Sequence, residues 1–292
     1  MLKHLMNSGR VGLAAAIASL VLATAPGAAE KIKDPSRIVA IGGAVTEIVY
    51  ALGKSDLLIA RDSTSLFPAE SVKLPDVGYM RQLSPEGVLS VNPSAILMIE
   101  GSGPKPAIDV IKKSSVQVVT VPEGYDRDGI ARKIMAVGDA LGAHEQAQAL
   151  VDRVSADIDA AVKAAAEIPA EKRKRVLFVL TLQNGKIMAA GDHTAANGIL
   201  KLAGATNVAA EFQGYKSMND EAVVAASPDL IVMMSRAGPG PSDAEVLAHP
   251  AIALTPAGKA KAIVRVDGAT TLGFGPRAAD AIRDLSKALY GG

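Results

Sequence analysis

The chain contains the segment Glu86-Gly-Val-Leu-Ser-Val-Asn-Pro93-Ser-Ala-Ile-Leu-Met98-Ile-Glu-Gly-Ser-Gly103-Pro104. A second copy at an offset of 135 residues reads Glu221-Ala-Val-Val-Ala-Ala-Ser-Pro228-Asp-Leu-Ile-Val-Met233-Met-Ser-Arg-Ala-Gly238-Pro239, with no gap. Each copy predicts a short helix, a turn, a buried strand and a glycine loop. Upstream, Gly78-Tyr79 of the first copy matches Gly214-Tyr215 of the second. Such a repeat predicts two related lobes that face each other across a cleft.

Short β-branched apolar runs alternate with helical patterns on both sides of the repeat, which is typical of βα units on mostly parallel sheets. The candidate strands are Arg37–Ile41, Leu57–Ala60, Ala95–Ile99, Val116–Val121, Val176–Leu180, Ile187–Ala190, Leu230–Met234 and Ala262–Val266. Between the two sets of strands, helices are predicted from Arg127 to Leu141 and from Ala143 to Ile168, with Gly142 as the break. The second helix is long enough to join two lobes as a rigid strut.

The first 29 residues have the pattern of a secretory signal peptide. Lys3, His4 and Arg10 precede an apolar stretch from Val11 to Ala23, and small residues lead to a predicted cleavage after Ala29. A membrane anchor is the alternative, but this stretch is shorter than the ~20 residues that a spanning helix needs. The chain has no cysteine, so it lacks the attachment residue of a lipoprotein. We therefore expect a protein of the periplasm without a stable membrane anchor.

Charge and composition disfavour several classes of function. Removing a leader that carries Lys3 and Arg10 changes the net charge from +1 to −1, so neither nucleic acid nor a membrane surface is a favoured partner. Three widely spaced histidines remain, and the sequence shows no cysteine nucleophile, no serine elbow and no converging set of metal ligands. The Gly42-Gly43 turn resembles the start of a dinucleotide site but lacks the third glycine. An enzyme is therefore disfavoured.

Tyr79 is the strongest candidate for a binding residue. It follows Gly78 in a loop that ends at the predicted helix start Ser84-Pro85, and Arg81 lies two residues further on. A nearby guanidinium favours the phenolate form of tyrosine, and phenolate is an axial ligand of ferric haem. The alternative is a tyrosine that only packs at a loop corner.

Several motifs together resemble the periplasmic haem-binding proteins of bacterial haem ABC importers, over essentially the whole mature chain. The motifs are the opening Arg37-Ile-Val-Ala-Ile-Gly-Gly-Ala-Val-Thr46-Glu47-Ile, the loops Asp62-Ser-Thr-Ser65 and Val77-Gly-Tyr79-Met-Arg81, the turn Ala189-Ala-Gly-Asp-His193-Thr-Ala-Ala196, Gly214-Tyr215-Lys216 and Thr271-Leu-Gly-Phe-Gly-Pro-Arg277. The resemblance implies the class of binding protein with a helical backbone: an α/β fold of two Rossmann-like lobes joined by one long helix, with little hinge motion. It also implies that haem b is the cargo and that Tyr79 is its axial ligand.

The resemblance assigns supporting roles to other residues. It places Arg81 and Arg236 against the tyrosine or the haem propionates, and Arg236 also follows a predicted buried strand, where ligands bind in open α/β sheets. A solvated loop arginine is the alternative. Tyr215 is expected on the opposite wall. Some relatives hold a second haem through a histidine early in the second lobe; His193 is the candidate here, and a single haem is favoured.

Glu86 and Glu221 occupy equivalent first helical turns in the two copies of the repeat. A carboxylate there is favourable without any function. The resemblance implies that each glutamate docks onto arginines of a permease subunit.

The interpretation is therefore a signal peptide at 1–29, an N-terminal lobe at 30–126, a helical linker at 127–168 and a C-terminal lobe at 169–292. The expected function is capture of haem and delivery to an inner-membrane ABC importer, as a monomer without catalysis. Within the same fold, a ferric-siderophore or cobalamin binder is the alternative, although such sites favour more aromatic residues than the 3% present here. A periplasmic enzyme or chaperone is the alternative from another class.

Overall fold

The computed structural model describes residues 30–235 and 240–291, so the predicted leader lies outside the described residues. The first lobe contains one sheet of four strands in the order β2-β1-β3-β4, and all of its pairings are parallel. Its elements are β1 Ile38–Ile41, α1 Gly43–Ala51, β2 Leu58–Arg61, α2 Pro85–Leu89, β3 Ala95–Ile99, α3 Lys105–Lys113 and β4 Gln117–Val121. Every residue of β1 and β3 is buried, as their continuous apolar sequences predict for the centre of a parallel sheet.

The second lobe contains a mixed sheet in the order β10-β9-β5-β6-β8, and β7 also pairs with β5. Its strands are β5 Arg175–Gln183, β6 Lys186–Ala190, β7 Thr206–Asn207, β8 Tyr215–Met218, β9 Leu230–Ser235 and β10 Ile263–Asp267. Its helices are α6 Ala195–Leu202, α7 Asp220–Ala226, α8 Asp243–Leu247, α9 Pro250–Ala253, α10 Pro256–Ala260, α11 Gly268–Gly273 and α12 Ala278–Tyr290.

One edge of this second sheet is antiparallel, which the strand patterns did not predict. β6 runs antiparallel to both β5 and β8. The reversal between β5 and β6 occurs at Asn184 and Gly185, whose φ angles of 51° and 69° are those of a tight hairpin turn. An Asn-Gly pair between two apolar runs is the signal that could have predicted this hairpin.

The two lobes are joined by α4 Arg127–Ala140 and α5 His144–Ala166, which turn sharply at Gly142. The 23 residues of α5 span about 34 Å at 1.5 Å per residue. α5 packs against α4 on one side and against α12 on the other. The predicted pair of helices and its break are confirmed.

The repeat has the same local structure in both lobes. α2 and α7 begin 135 residues apart, as do β3 and β9, and Ser84 and Asn219 cap the two helices with their side chains. The turns between helix and strand place Asn92 and Ser227, also 135 residues apart, at φ angles of 51° and 44°. The α/β fold of two lobes is confirmed.

A single apolar cluster runs through both lobes. It includes Ile96 of β3, Ile134 of α4, Ile199 of α6, and Phe274 and Ile282 in the last part of the chain. Opening the two lobes like a hinge would expose part of this cluster to water, which is unfavourable. The shared core therefore favours a body whose lobes keep their relative position.

An ion pair also crosses between the lobes, at the middle of α1. The guanidinium of Arg277 donates to both carboxylate oxygens of Glu47, at 2.6 and 3.0 Å, and lies 3.8 Å from the centroid of the Phe67 ring.

Among the described residues, no helix is long and apolar enough to cross a membrane.

Candidate functional site

Tyr79 lies in the connection between β2 and α2, at the rim of the first lobe. Gly78 precedes it at φ 103°; its amide donates to Asp76 Oδ1 at 2.8 Å, and its carbonyl accepts from the amide of Ser63 at 3.0 Å. These bonds fix the backbone ahead of Tyr79, while 43% of the residue's surface stays exposed. A fixed backbone with an open phenol is suited to binding a ligand.

Arg81 is an exposed residue of the same loop. Met80 between them is buried, and its carbonyl accepts from the amide of Gly103 at 2.9 Å, which ties the loop to the connection after β3. Arg81 Nη1 donates to the carbonyl of Gly101 in that same connection, at 3.4 Å. The buried methionine leaves Tyr79 and Arg81 at the surface of the loop.

The Gly42-Gly43 turn is already occupied by side chains of its own lobe. Asp62, fully buried, accepts from the Gly42 amide at 3.0 Å and from the hydroxyl of Ser65 at 2.8 Å. The Gly43 amide donates to the Thr64 hydroxyl at 2.9 Å. A dinucleotide phosphate would need these amides, so the structure disfavours a nucleotide site.

Tyr215 is the first residue of β8, on the edge of the second sheet. Gly214 precedes it at φ 75°, and hydrogen bonds from the Gly191 amide to Gly214 and from the Gly214 amide to Asp192 hold the turn, both at 2.8 Å. Of its surface, 36% is exposed. Both tyrosines of the repeat therefore follow a glycine with positive φ, but only Tyr79 lies in a loop.

Tyr79 and Arg81 of the first lobe act electrostatically on Tyr215 of the second. Burial is the main cause that raises the pKa of Tyr215, and the Tyr79 phenol adds to the rise. The charge of Arg81 opposes it, as do hydrogen bonds with the backbone of Ala196 and the side chain of Thr194. Residues of the first lobe therefore contribute to the electrostatic surroundings of a tyrosine in the second.

Tyr125 is a further tyrosine on which Arg81 and Tyr215 act electrostatically, and the sequence did not single it out. It lies in the connection between β4 and α4, and its ring packs edge-on against Phe274 with centroids 5.4 Å apart. Burial raises the pKa of Tyr125 to about 12, with further contributions from Glu123 and Tyr215, while Arg81 opposes the rise by charge and hydrogen bonding. Its position directly after a buried strand of a parallel sheet is the signal that could have found it.

The Arg81 guanidinium contacts the connection after β3, and no hydrogen bond to Tyr79 is present among the described residues. Its charge opposes the rise in pKa of both Tyr125 and Tyr215.

His193 lies on the turn between β6 and α6, with φ 55° and a side chain that is 71% exposed. Its Nδ1 is 3.4 Å from Asp192 Oδ2. The next residue is Thr194, which approaches Tyr215. No described contact joins His193 to Tyr79 or Arg81.

A cavity of about 660 Å³ opens in the second lobe, at the carboxyl ends of β5, β9 and β10. Leu182, Met233 and Ser235 line it together with Asp243 and Arg265. The guanidinium of Arg265 is engaged by Asp243 Oδ1 at 2.8 Å and by the backbone carbonyl of Pro241 at 2.6 Å. Arg236, the predicted propionate ligand, immediately follows β9 in the sequence but lies outside the described residues.

Glu86 and Glu221 are exposed in the first turns of α2 and α7, as expected from the repeat. Their surroundings differ. Beside Glu221 is a shallow groove of about 450 Å³, lined by Val224, Pro250 and the 62% exposed Leu254.

Among the described residues, no group of three or more His, Cys, Asp or Glu side chains could hold a metal ion.

The family model of the periplasmic binding proteins matches residues 38–270. The structure is similar to the periplasmic heme-binding protein BhuT in complex with two hemes, at 36% identity and TM-score 0.80, covering 87% of this chain and 97% of that one. It is also similar to the apo form of the periplasmic heme-binding protein RhuT from Roseiflexus sp. RS-1, at 33% identity and TM-score 0.81, covering 88% and 98%.

Two curated relatives are similar over most of the chain. An uncharacterized ABC transporter substrate-binding lipoprotein of Bacillus subtilis, YvrC, is 29% identical over 260 residues, which are 88% of this chain and 81% of the relative. A vitamin B12-binding protein of Yersinia pestis is 23% identical over 221 residues, 75% of each chain. The resemblance to haem-binding proteins is confirmed among the structural neighbours, and the chain belongs to the periplasmic binding protein family.

Proposed function

We propose that this protein captures haem in the periplasm and delivers it to an inner-membrane ABC importer, without catalysing a reaction. The observation that carries the proposal is the exposed Tyr79 on a fixed backbone at the rim of the first lobe, with the exposed Arg81 two residues further on. It is supported by the structural neighbours above 30% identity, which are haem-binding proteins.

In this proposal the phenol of Tyr79 ligates the haem iron. Phenolate is a hard anionic donor that suits ferric iron. Tyr79 combines an exposed ring with a fixed backbone, so its oxygen reaches a ligand without rearrangement of the loop. Arg81 supplies a positive charge for the phenolate or for a haem propionate.

The other residues act on the rest of the cargo. Tyr215 lines the opposite wall of the site, and Arg236 binds a propionate from the end of β9. The proposal assigns the iron to Tyr79 alone, because Tyr215 is followed by Lys216 and Ser217 where the first lobe has Met80 and Arg81. We therefore propose one haem per chain, although BhuT was solved with two.

Delivery to the importer uses the outer surface of each lobe. Glu86 and Glu221 lie on equivalent exposed helical turns, and two equivalent charges suit a permease with two related subunits. The predicted signal peptide at 1–29 directs the chain to the periplasm, where it acts as a monomer.

A ferric-siderophore or cobalamin cargo is the second candidate, and the vitamin B12-binding relative is the observation in its favour. That relative is less similar than the haem-binding neighbours, and the chain contains no tryptophan to cover a large corrin or catecholate ligand. Haem is therefore the better supported cargo.

Binding of the three ligand classes distinguishes these functions. The purified protein is titrated with hemin, with cobalamin and with a ferric siderophore, and quenching of tyrosine fluorescence and ligand absorbance are followed. We expect saturable binding of hemin with a Soret band, and no competition by a tenfold excess of the other two ligands. Tight binding of cobalamin or of the siderophore, without a hemin complex, would replace haem as the cargo.

A further inference from the structure

Arg61, the last residue of β2, binds an aspartate of the loop that carries Tyr79. The Arg61 side chain is only 9% exposed. Its Nη1 donates to Asp76 Oδ2 at 2.8 Å and to the carbonyl of Asp62 at 3.1 Å. A guanidinium with so little access to water requires such acceptors, because a buried charge without partners is strongly unfavourable. The contact therefore fixes the Asp76 carboxylate at the end of β2.

The backbone around Asp76 is paired with the same strand end. The Arg61 amide donates to the carbonyl of Pro75, and the Arg61 carbonyl accepts from the amide of Val77, both at 2.9 Å. These bonds form a parallel bridge between Arg61 and Asp76, and Val77 is buried. Asp76 thus has a fixed backbone as well as a fixed carboxylate, so it can orient the residues that follow it.

The other oxygen of the Asp76 carboxylate holds the turn before Tyr79. Oδ1 accepts from the Gly78 amide at 2.8 Å and from the Ser63 hydroxyl at 3.1 Å. The Ser63 amide in turn donates to the Gly78 carbonyl at 3.0 Å. Gly78 has a φ of 103°, and the space that a Cβ would occupy there is open. Hydrogen bonds from Asp76 and Ser63, and not side-chain packing at Gly78, therefore direct the chain at this turn.

We propose that Asp76 is a positioning residue for Tyr79: one carboxylate oxygen is held by the buried Arg61, and the other fixes the Gly78 turn from which Tyr79 emerges. Because Tyr79 is exposed, its place depends on this turn more than on packing of its ring. This inference deepens the proposed function and rests on it for its consequence in haem binding. The positioning itself is a property of the ligand-free protein.

The first test therefore uses the ligand-free protein. Asp76→Ala removes both carboxylate oxygens and leaves Tyr79 and Arg81 unchanged. Hydrogen exchange of the Gly78 amide and the nitrogen-15 order parameter of the Tyr79 amide are measured by NMR. We expect the Gly78 amide to exchange roughly tenfold faster, because it loses a charged acceptor, and the Tyr79 order parameter to fall. An unchanged order parameter of Tyr79 in a folded Asp76→Ala protein would overturn the proposal.

Asp229→Ala is the matched control. Asp229 Oδ2 also accepts from a backbone amide, that of Arg175 at 2.9 Å, but at the start of β5 in the second lobe. Its removal should lower thermal stability while leaving the signals of Gly78 and Tyr79 unchanged. An equal fall of the Tyr79 order parameter in both variants would show a general loosening of the fold and would contradict a specific role of Asp76.

Gly78→Ala tests the same turn if Asp76→Ala does not fold. An alanine at φ 103° is strained, although no atom lies where its Cβ would be, and the bond between Arg61 and Asp76 stays in place. We expect this variant also to lower the Tyr79 order parameter and to weaken hemin binding. Normal values of both quantities would show that the direction of the turn does not determine the place of Tyr79, which overturns the proposal.

The second test separates positioning from ligation in the hemin complex. In Asp76→Ala the arrangement that binds the iron is populated for only part of the time, so the affinity for hemin should fall by roughly tenfold. At saturating hemin the resonance Raman bands of iron–phenolate should persist, because Tyr79 itself is intact. A stability defect alone would leave the affinity of the folded protein unchanged. Loss of the bands at saturation would contradict a role limited to positioning.

The dependence on Tyr79 is the last check. In a Tyr79→Phe background, Asp76→Ala should weaken hemin binding little further, because the carboxylate acts through the phenol. Equal losses of affinity in both backgrounds would overturn the coupling. A wild-type protein that does not bind hemin would refute the proposed function, and the order parameter of Tyr79 would then decide the role of Asp76 separately.

Discussion

The two lobes carry the same helix, turn and strand at an offset of 135 residues, yet their tyrosines have different surroundings. In the first lobe, Tyr79 is followed by the buried Met80 and by Arg81, and its ring is exposed from a loop. In the second, Tyr215 begins an edge strand and burial raises its pKa. A duplicated scaffold thus fixes where a side chain emerges, while the neighbouring residues decide its chemistry. We therefore assign the iron to Tyr79 and a wall of the site to Tyr215.

Removing each tyrosine in turn should give the largest effect and the clearest asymmetry. Tyr79→Ala should weaken hemin binding on the order of a hundredfold, the size of a dominant anchor contact, whereas Tyr215→Ala should weaken it by roughly fivefold. Affinities are measured by absorbance titration. Both variants should keep their folds, because neither side chain is buried in the core; circular dichroism provides the check. Equal losses in the two variants would remove the asymmetry.

The two glutamates extend the comparison to the outer surfaces. Glu86→Arg and Glu221→Arg should bind hemin normally but stimulate the ATPase of the reconstituted importer several-fold less, because like charges would then oppose the permease. The double variant should be worse than either single variant. Lys105→Glu, a charge reversal at the exposed start of α3, is the matched control. Normal stimulation by the double variant would show that both glutamates only stabilise the first turns of their helices and do not dock onto the permease.

The Glu221 side should be the more sensitive of the two to apolar changes. Leu254 is exposed in the groove beside Glu221. Leu254→Ser should therefore reduce ATPase stimulation, by roughly threefold if one apolar side chain is covered on docking. Val110→Ser, at an exposed position on α3 of the first lobe, is the control. Equal effects of the two changes would show that the groove has no special role.

Stoichiometry tests whether the second lobe supplies an iron ligand of its own. With the iron assigned to Tyr79 alone, the Soret titration should have a single break near one haem per chain. A second break near two that disappears in His193→Ala would show that the exposed His193 completes a second site. That result would make the two lobes more alike in function than we propose.

The smallest expected effect concerns the half-buried Tyr125 at alkaline pH. Its pKa is raised to about 12 in the folded protein, against about 10 for a free tyrosine. The folded state therefore retains a proton that the unfolded state loses, so this stabilisation is complete below about pH 10 and disappears as the pH rises towards 12. Thermal melting should show a smaller alkaline decrease in Tyr125→Phe than in the wild type. Identical decreases would contradict the raised pKa.

Much of the fold was predictable because its signals are local. β3 has the predicted bounds, and the break at Gly142 follows from a single residue that adopts a positive φ. β8 was missed because Tyr215–Met218 is short and largely exposed, so it carries no apolar pattern. Its place in the sheet depends on pairing with β6, which the sequence of β8 does not display.

The site was predictable only in part, for a related reason. Tyr79 and Arg81 are neighbours in the sequence, so their association is visible in a motif. Tyr125 packs against Phe274, which is distant in the chain, and the charge of Arg81 acts on it. The fold alone brings these residues together, and a chain with few aromatic residues gives no local reason to select this one.

Resonance Raman spectra of the hemin complex identify the axial ligand itself, because the iron–phenolate vibrations are observed only when a tyrosine binds the iron. Spectra are compared for the wild type, Tyr79→Phe and Tyr215→Phe, with hemin at or below one equivalent. We expect phenolate bands in the wild type and in Tyr215→Phe, and their loss in Tyr79→Phe. Bands that persist in Tyr79→Phe and vanish in Tyr215→Phe would transfer the iron to the second lobe and contradict the assignment of Tyr79 as the ligand.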